Sequence, residues 1–308
     1  MKKVKKIMTI ILAFVFVISL FGAGNHLINY IRADESYDLA KEIAHTPEFG
    51  VSEAKSTPQV TTSKTEAVAF DTDIPATPIL QLPQTIIPDE TAETEIPVED
   101  EPEIPVDGFA AELLLTDVAA LRKVNPDVIG WICIPGTSIS YPLIQGKDNS
   151  YYLDYSWEGM KNRVGSIYLD YRSSADFGDF HSIIYGHCMY IDAMFNALKK
   201  YDNPEFLAEH PSVYILIDGC VLKYDVFSAY NAEAKGPSWR LGLNDTEGQQ
   251  ALIDFCISRS VVDAGIKPSA EDGDKLLTLS TCSQSGDSRF RWVVHCVQSG
   301  IYTADEVS

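Results

Sequence analysis

Between Thr46 and Asp107 the sequence offers nothing from which a core could be built. This stretch holds nine of the chain's sixteen prolines, ten threonines, fourteen acids against two lysines, and only Phe49 and Phe70 as aromatics. So little apolar surface cannot offset the entropy of ordering the backbone, and the like charges push the chain outward. It reads as an extended, self-repelling acidic stalk. Whatever folds in these 308 residues must therefore lie on either side of it.

On the N-terminal side, Met1-Lys2-Lys3-Val4-Lys5-Lys6 precedes a run without charge from Ile7 through Ile31, most apolar up to Gly24. Spanning a bilayer takes roughly 20 apolar residues, whereas the apolar core of a cleaved signal peptide takes roughly 7–15. The small residues at Gly22-Ala23-Gly24 lack a clean Ala-x-Ala pattern. A retained signal-anchor is the preferred reading, and cleavage the alternative. The lysines place the N-terminus in the cytoplasm and everything after Tyr30 outside the cell membrane. The expected organisation is a basic tip and single-pass transmembrane anchor over 1–32, an extracellular acidic linker over 33–107, and a folded domain over 108–304. The net charge of -20 repels a phosphate backbone, and the N-terminal lysines have a topological explanation, so nucleic acid is excluded as a partner.

From Phe109 onward the composition is globular. Ala110–Val124 carries helical apolar spacing at Leu113, Leu114, Val118 and Leu121, with Asn125-Pro126 as its stop. Eight β-type runs follow: Val128–Ile134, Ile139–Gln145, Gly165–Tyr171, Ser182–Tyr185, Val213–Ile217, Val221–Tyr230, Leu276–Ser280 and Trp292–Val297. Turn signals such as Pro135-Gly136 and Asp218-Gly219 separate them. Helical patterns interrupt the series near Asp192–Lys200, Pro204–His210 and Thr246–Ser260. The expected fold is mainly β, a closed or nearly closed eight-stranded barrel with an N-terminal helix and helical insertions.

All six cysteines lie in this part of the chain, at 133, 188, 220, 256, 282 and 296, without a C-x-x-C pair or metal-like spacing. Five sit in apolar runs, where cysteine behaves as a small hydrophobe. Cys282 instead ends the strand Leu276-Leu277-Thr278-Leu279-Ser280-Thr281 and opens the polar loop Ser283-Gln284-Ser285-Gly286. A rigid strand end that projects into an accessible loop suits a nucleophile. Only the thiolate attacks, so a partner base is needed, most often histidine. Of the six histidines, His187 stands at a comparable place, after Ile183-Ile184-Tyr185-Gly186, whereas His295 lies within the last strand and reads as a hydrogen-bonded sheet residue. Arg289 and Arg291 bracket Phe290 at the start of that strand, on one face, and either could stabilise an oxyanion or hold a peptide carbonyl. A metal site on His187 and Cys188 is disfavoured because strand neighbours point to opposite faces.

Three segments, Tyr185-Gly186-His187-Cys188-Met189, Thr278-Leu279-Ser280-Thr281-Cys282 and Arg291-Trp292-Val293-Val294, resemble the histidine, cysteine and arginine motifs of the sortases in their usual order. A fourth, Asn125-Pro126-Asp127-Val128-Ile129-Gly130-Trp131-Ile132 continuing to Tyr141-Pro142-Leu143-Ile144-Gln145-Gly146, resembles class B. The resemblance spans roughly residues 110–302 and leaves out the stalk.

What it implies is a sortase-type β-barrel and a cysteine transpeptidase on the outer face of a Gram-positive-type membrane, with no cofactor and no metal. Cys282 would attack the carbonyl after threonine in a Pro-x-Thr type sorting signal and form a thioacyl enzyme. An amine of a peptidoglycan precursor, lipid II or a cross-bridge, would resolve it. His187 would be the general acid and base and Arg291 the oxyanion or carbonyl ligand. Family members carry arginine, one apolar residue and Val-Val, which selects Arg291 and leaves Arg289 as the alternative. Asn149, Leu153, Tyr185, Ser280 and Thr281 would line the peptide groove beside a class B helix near Thr246–Ser260. Two other functions remain open on the residues alone, an exported cysteine peptidase that only hydrolyses and a non-catalytic wall-associated scaffold.

Overall fold

The computed structural model describes residues 31–47, 107–189, 192–282 and 287–304. Residues 1–30 of the anchor expected over 1–32, and residues 48–106 of the acidic linker expected over 33–107, lie outside the described residues. Among the described residues no helix is long and apolar enough to cross a membrane.

Eight strands form a closed barrel: β1 Val128–Cys133, β2 Ser140–Ile144, β3 Ile167–Leu169, β4 His181–Tyr185, β5 Ser212–Ile217, β6 Cys220–Glu233, β7 Leu276–Cys282 and β8 Phe290–Thr303. Around the barrel their order is β1-β2-β3-β4-β7-β8-β6-β5, with β5 returning to β1. β2 with β3 and β4 with β7 pair in parallel, and the remaining neighbours pair antiparallel. The β5–β6 hairpin turns on Asp218-Gly219, both at positive φ, with Ile217 paired to Cys220. That is the two-residue turn whose twist matches its strands, as the Asp-Gly pair suggested.

β7 is buried without alternation from Leu276 to Thr281, and β8 from Trp292 to Val297, because both of their faces are covered. Leu277, Leu279, Val294 and Cys296 join Trp131, Ile132, Leu143 and Ile184 in the main core. Leu276, Val293 and Val297, on the opposite face, pack with Phe227, Tyr230, Leu252, Ile253 and Cys256 in a second cluster beneath a long helix. The helices are α1 over 31–44, α2 Gly108–Leu113, α3 Val118–Val124, α4 Pro204–Glu209 and α5 Thr246–Arg259.

Two expectations are corrected. The single helix over Ala110–Val124 is split into α2 and α3, because Asp117 caps a new helix through Ala120 N and gives its own backbone N–H to Ala44 O at 2.7 Å. The linker expected from residue 33 does not begin there. Residues 31–44 form a helix that buries Ala33, Ser36, Tyr37, Ala40 and Ala44 against the folded body. Tyr37 donates to Gly165 O at 2.6 Å, and Trp157 Nε1 donates to Ser36 O at 2.9 Å. The period of these small and aromatic residues was overshadowed by the apolar run before them.

Candidate active site

β7 ends at Cys282, and the ladder places Cys282 opposite Arg291 on β8. On its other side β7 runs parallel to β4, with Tyr185 opposite Ser280, and the pairing continues one step through Gly186 N to Ser280 O at 3.1 Å. His187 follows at once. The three residues singled out in the sequence thus come together at one end of three adjacent strands.

Glycine is required before His187, since a Cβ at Gly186 would sit 2.4 Å from Ile167 Cδ1 and 2.7 Å from Phe195 Cδ2. The His187 ring contacts the crossover between β2 and β3. Its Nε2 lies 2.8 Å from Leu153 O, at the end of a short 3-10 helix, Tyr151–Leu153. A carbonyl oxygen can only accept, so Nε2 carries the hydrogen and Nδ1 is the lone-pair nitrogen of the neutral ring. A proton-transferring role for this histidine thus belongs to Nδ1.

A groove of about 430 Å³ opens here, and its described lining comprises Asn149, Leu153, Tyr168, Tyr185, Gly186, His187, Ala234, Trp239, Ser280, Thr281 and Arg291. All five residues expected to line a peptide groove are among them. The Arg291 guanidinium is held by Ser288 O at 2.9 Å and Phe290 O at 2.8 Å. Arg289 instead makes a two-point ion pair with Asp287 and is 80% exposed. Arg291 lies in the groove wall and Arg289 does not. The connection from β6 to α5 contributes Ala234 and Trp239, whereas α5 itself packs on the barrel.

One supporting group escaped the sequence reading. Asp170, its side chain fully buried, accepts from Arg172 Nε and NH2 at 2.9 and 2.8 Å, from Asn149 Nδ2 at 2.9 Å and from Tyr185 OH at 3.0 Å. Burial alone would raise its pKa, but these hydrogen bonds outweigh it and hold the carboxyl below its ordinary range. Burial and the Asp170 charge push the Tyr185 hydroxyl upward, so it stays a donor. Two groove residues are therefore oriented by one buried anion. An acid at a strand end with arginine two residues on, Asp170-Tyr171-Arg172, was the available signal.

Three of the other described cysteines are unlike a nucleophile. Cys133 and Cys256 are buried and their thiols are pushed up to about 12, and burial raises Cys296 as well. Among the described residues no group of His, Cys, Asp or Glu is placed to hold a metal ion.

The Sortase domain family matches residues 132–299. Sortase B of Listeria monocytogenes is 34% identical over 167 residues, covering 54% of this chain and 67% of the relative. Sortase B of Staphylococcus aureus is 33% identical over 168 residues, with the same shares. The solved S. aureus sortase B–substrate complex superposes with a TM-score of 0.55 at 29% identity, over 61% of this chain and 85% of that one. The chain belongs to the sortase family, and its relatives place it with the class B cysteine transpeptidases.

Proposed function

We propose that the protein is a membrane-anchored, outward-facing transpeptidase. It cleaves a Pro-x-Thr type sorting signal after threonine and passes the protein to an amine of cell-wall peptidoglycan, on lipid II or a cross-bridge. The observation that carries this reading is the register of Cys282 against Arg291 beside His187, at the head of a groove suited to an extended peptide. The S. aureus sortase B described in complex with substrate supports the use of a sorting peptide. The uncharged run Ile7–Ile31 after four lysines supports the anchor and the outward orientation.

In this mechanism the Cys282 thiolate adds to the threonine carbonyl carbon, and the negative charge that moves onto oxygen is met by the Arg291 guanidinium. Collapse breaks the peptide bond, and the imidazolium of His187 gives the Nδ1 proton to the leaving amine. A thioester to Cys282 remains. The peptidoglycan amine attacks it, His187 removes the amine's proton, and the Cys282 thiolate departs with the new amide formed. The Leu153 carbonyl, fixed on Nε2, keeps Nδ1 directed to these transfers throughout.

Incubating the protein with Pro-x-Thr peptides varied at the preceding residue, with and without an amine, tests the proposal. The expected products are a thioacyl adduct at Cys282 by mass spectrometry and a peptide–amine conjugate, both absent in Cys282→Ala. Hydrolysis of arbitrary peptides without amine dependence would sink it.

A further inference from the structure

A chain of buried polar groups runs beneath the groove and closes on itself around Trp239. Ser238 Oγ lies 2.9 Å from Tyr230 OH on β6, and Tyr230 OH lies 3.0 Å from His295 Nε2 on β8. His295 Nδ1 lies 2.7 Å from Thr278 Oγ on β7, and Thr278 Oγ lies 2.6 Å from His181 Nε2 on β4. His181 Nδ1 lies 2.7 Å from the backbone oxygen of Arg240. The two ends, Ser238 and Arg240, flank Trp239. Four strands are thereby joined to both sides of one groove-wall residue.

The protons in this ring have a single consistent arrangement. Arg240 O can only accept, so His181 carries its hydrogen on Nδ1 and accepts at Nε2 from the Thr278 hydroxyl. Thr278 has then used its one hydrogen and must accept from His295 Nδ1. His295 Nε2 accepts from Tyr230 OH, which in turn accepts from Ser238. Every bond points the same way around the ring, and Tyr230 OH has one further contact beside it, Cys256 Sγ at 3.7 Å. His181, His295, Thr278, Ser238 and Tyr230 are all buried, so an interruption leaves a polar group without solvent to replace its partner.

We infer that this ring is a positioning device that sets the place of Trp239 in the substrate groove, so that Thr278, His181 and His295 govern peptide binding without touching the peptide. The inference rests on the groove being the sorting-peptide site. Thr278 stands four residues before Cys282 on β7 and His295 four after Arg291 on β8, two same-face positions below the reacting groups. Trp239, by contrast, belongs to a short 3-10 turn, Pro237–Trp239, within a connecting segment that has no strand of its own to fix it. The ring supplies what that segment lacks.

The test uses the full-length chain and Thr278→Val, which keeps the side chain's shape and removes the hydroxyl that joins the two histidines. Hydrogen exchange of the 238–241 amides reads the ring without reference to activity and is expected to quicken by about tenfold or more. With the sorting peptide, KM should rise about fivefold to tenfold with kcat within about twofold, and Thr278→Ser should restore it. In a Trp239→Ala background the same Thr278→Val change should no longer raise KM. Unchanged exchange, an unchanged KM, or an equal KM effect with and without Trp239 would each overturn the inference. If Thr278→Val does not fold, Ser238→Ala opens the ring at its other end and is held to the same three readouts. Absence of transfer by the wild-type chain would count against the sorting-peptide reading of the groove, while exchange would still decide whether the ring holds the segment.

Discussion

At the scale of the residue, catalysis depends on positions that have no side chain to offer. Gly165 adopts φ +65°, and a Cβ there would stand 2.6 Å from Leu153 O, 2.7 Å from Tyr152 O and 3.0 Å from His187 Cδ2. The first of these atoms is the carbonyl that fixes the His187 tautomer. Gly165→Ala is therefore expected to displace the imidazole as well as strain the backbone. We expect kcat/KM to fall by about a hundredfold while stability falls by about 1–3 kcal/mol, read from peptide transfer and denaturant unfolding. Wild-type turnover in a folded Gly165→Ala chain would refute the packing argument. Asp170→Asn tests the buried anion beside it. An amide cannot accept from Arg172, Asn149 and Tyr185 together, so a loss of about 2–4 kcal/mol of stability is expected, with weakened peptide binding.

At the scale of the element, the strands β4, β7 and β8 are joined through side chains by the polar ring, and the ring tolerates no added proton. Burial lowers the pKa of His181 from 6.5 to about 4, and burial together with the neighbouring His181 holds that of His295 well below its ordinary value. Well above pH 6.5 both histidines are neutral whether the chain is folded or not, and the full stability is present. Below it the unfolded chain takes up protons that the folded barrel refuses, so stability declines as pH falls. The slope is at most about 1.4 kcal/mol per pH unit for each histidine, and for His181 it ends near pH 4. Denaturant midpoints between pH 7.5 and 5 should follow this decline, and His295→Val should remove about half of the slope that the two histidines contribute. A slope identical in the variant would show that His295 titrates normally. These contacts also explain what could be read from sequence and what could not. Cys282 and His187 were legible because each ends an apolar strand beside glycine or a polar loop, a local signal. Trp239 and the ring were not, because Thr278 meets residues 97 positions before it and 17 after it, and only the barrel's order β4-β7-β8-β6 brings them to one level. Asp170 lay between, with a local hint but partners 15 and 21 residues away.

At the scale of the whole molecule, α1 decides how the catalytic body relates to the segment before it. Three contacts from α1 reach the β2–β3 crossover: Tyr37 to Gly165 O, Trp157 to Ser36 O, and Ser36 Oγ to Glu158 at 2.7 Å. This is the crossover that presents Leu153 O to His187. Ala44 O also accepts from Asp117 N, so α1 is tied to the entry of α3 as well. α1 and the barrel belong to one compact unit. A spacer would have to lie between α1 and the body, yet α1 already rests on the body. The length of the acidic segment therefore should not set the activity, whereas α1 should. Replacing residues 53–105 by a short Gly/Ser linker is expected to leave the Tm within about 2 °C and kcat/KM within about twofold. Tyr37→Phe, which removes the donor to a buried carbonyl, should cost about 1–2 kcal/mol, or roughly 3–6 °C in Tm for a body of this size. Deleting residues 1–45 should lower kcat/KM by about tenfold, because the crossover that orients His187 loses its backing. Full activity in that deletion, together with a large loss on shortening 53–105, would reverse the assignment and make the acidic segment, rather than the helix, the part on which the catalytic body depends.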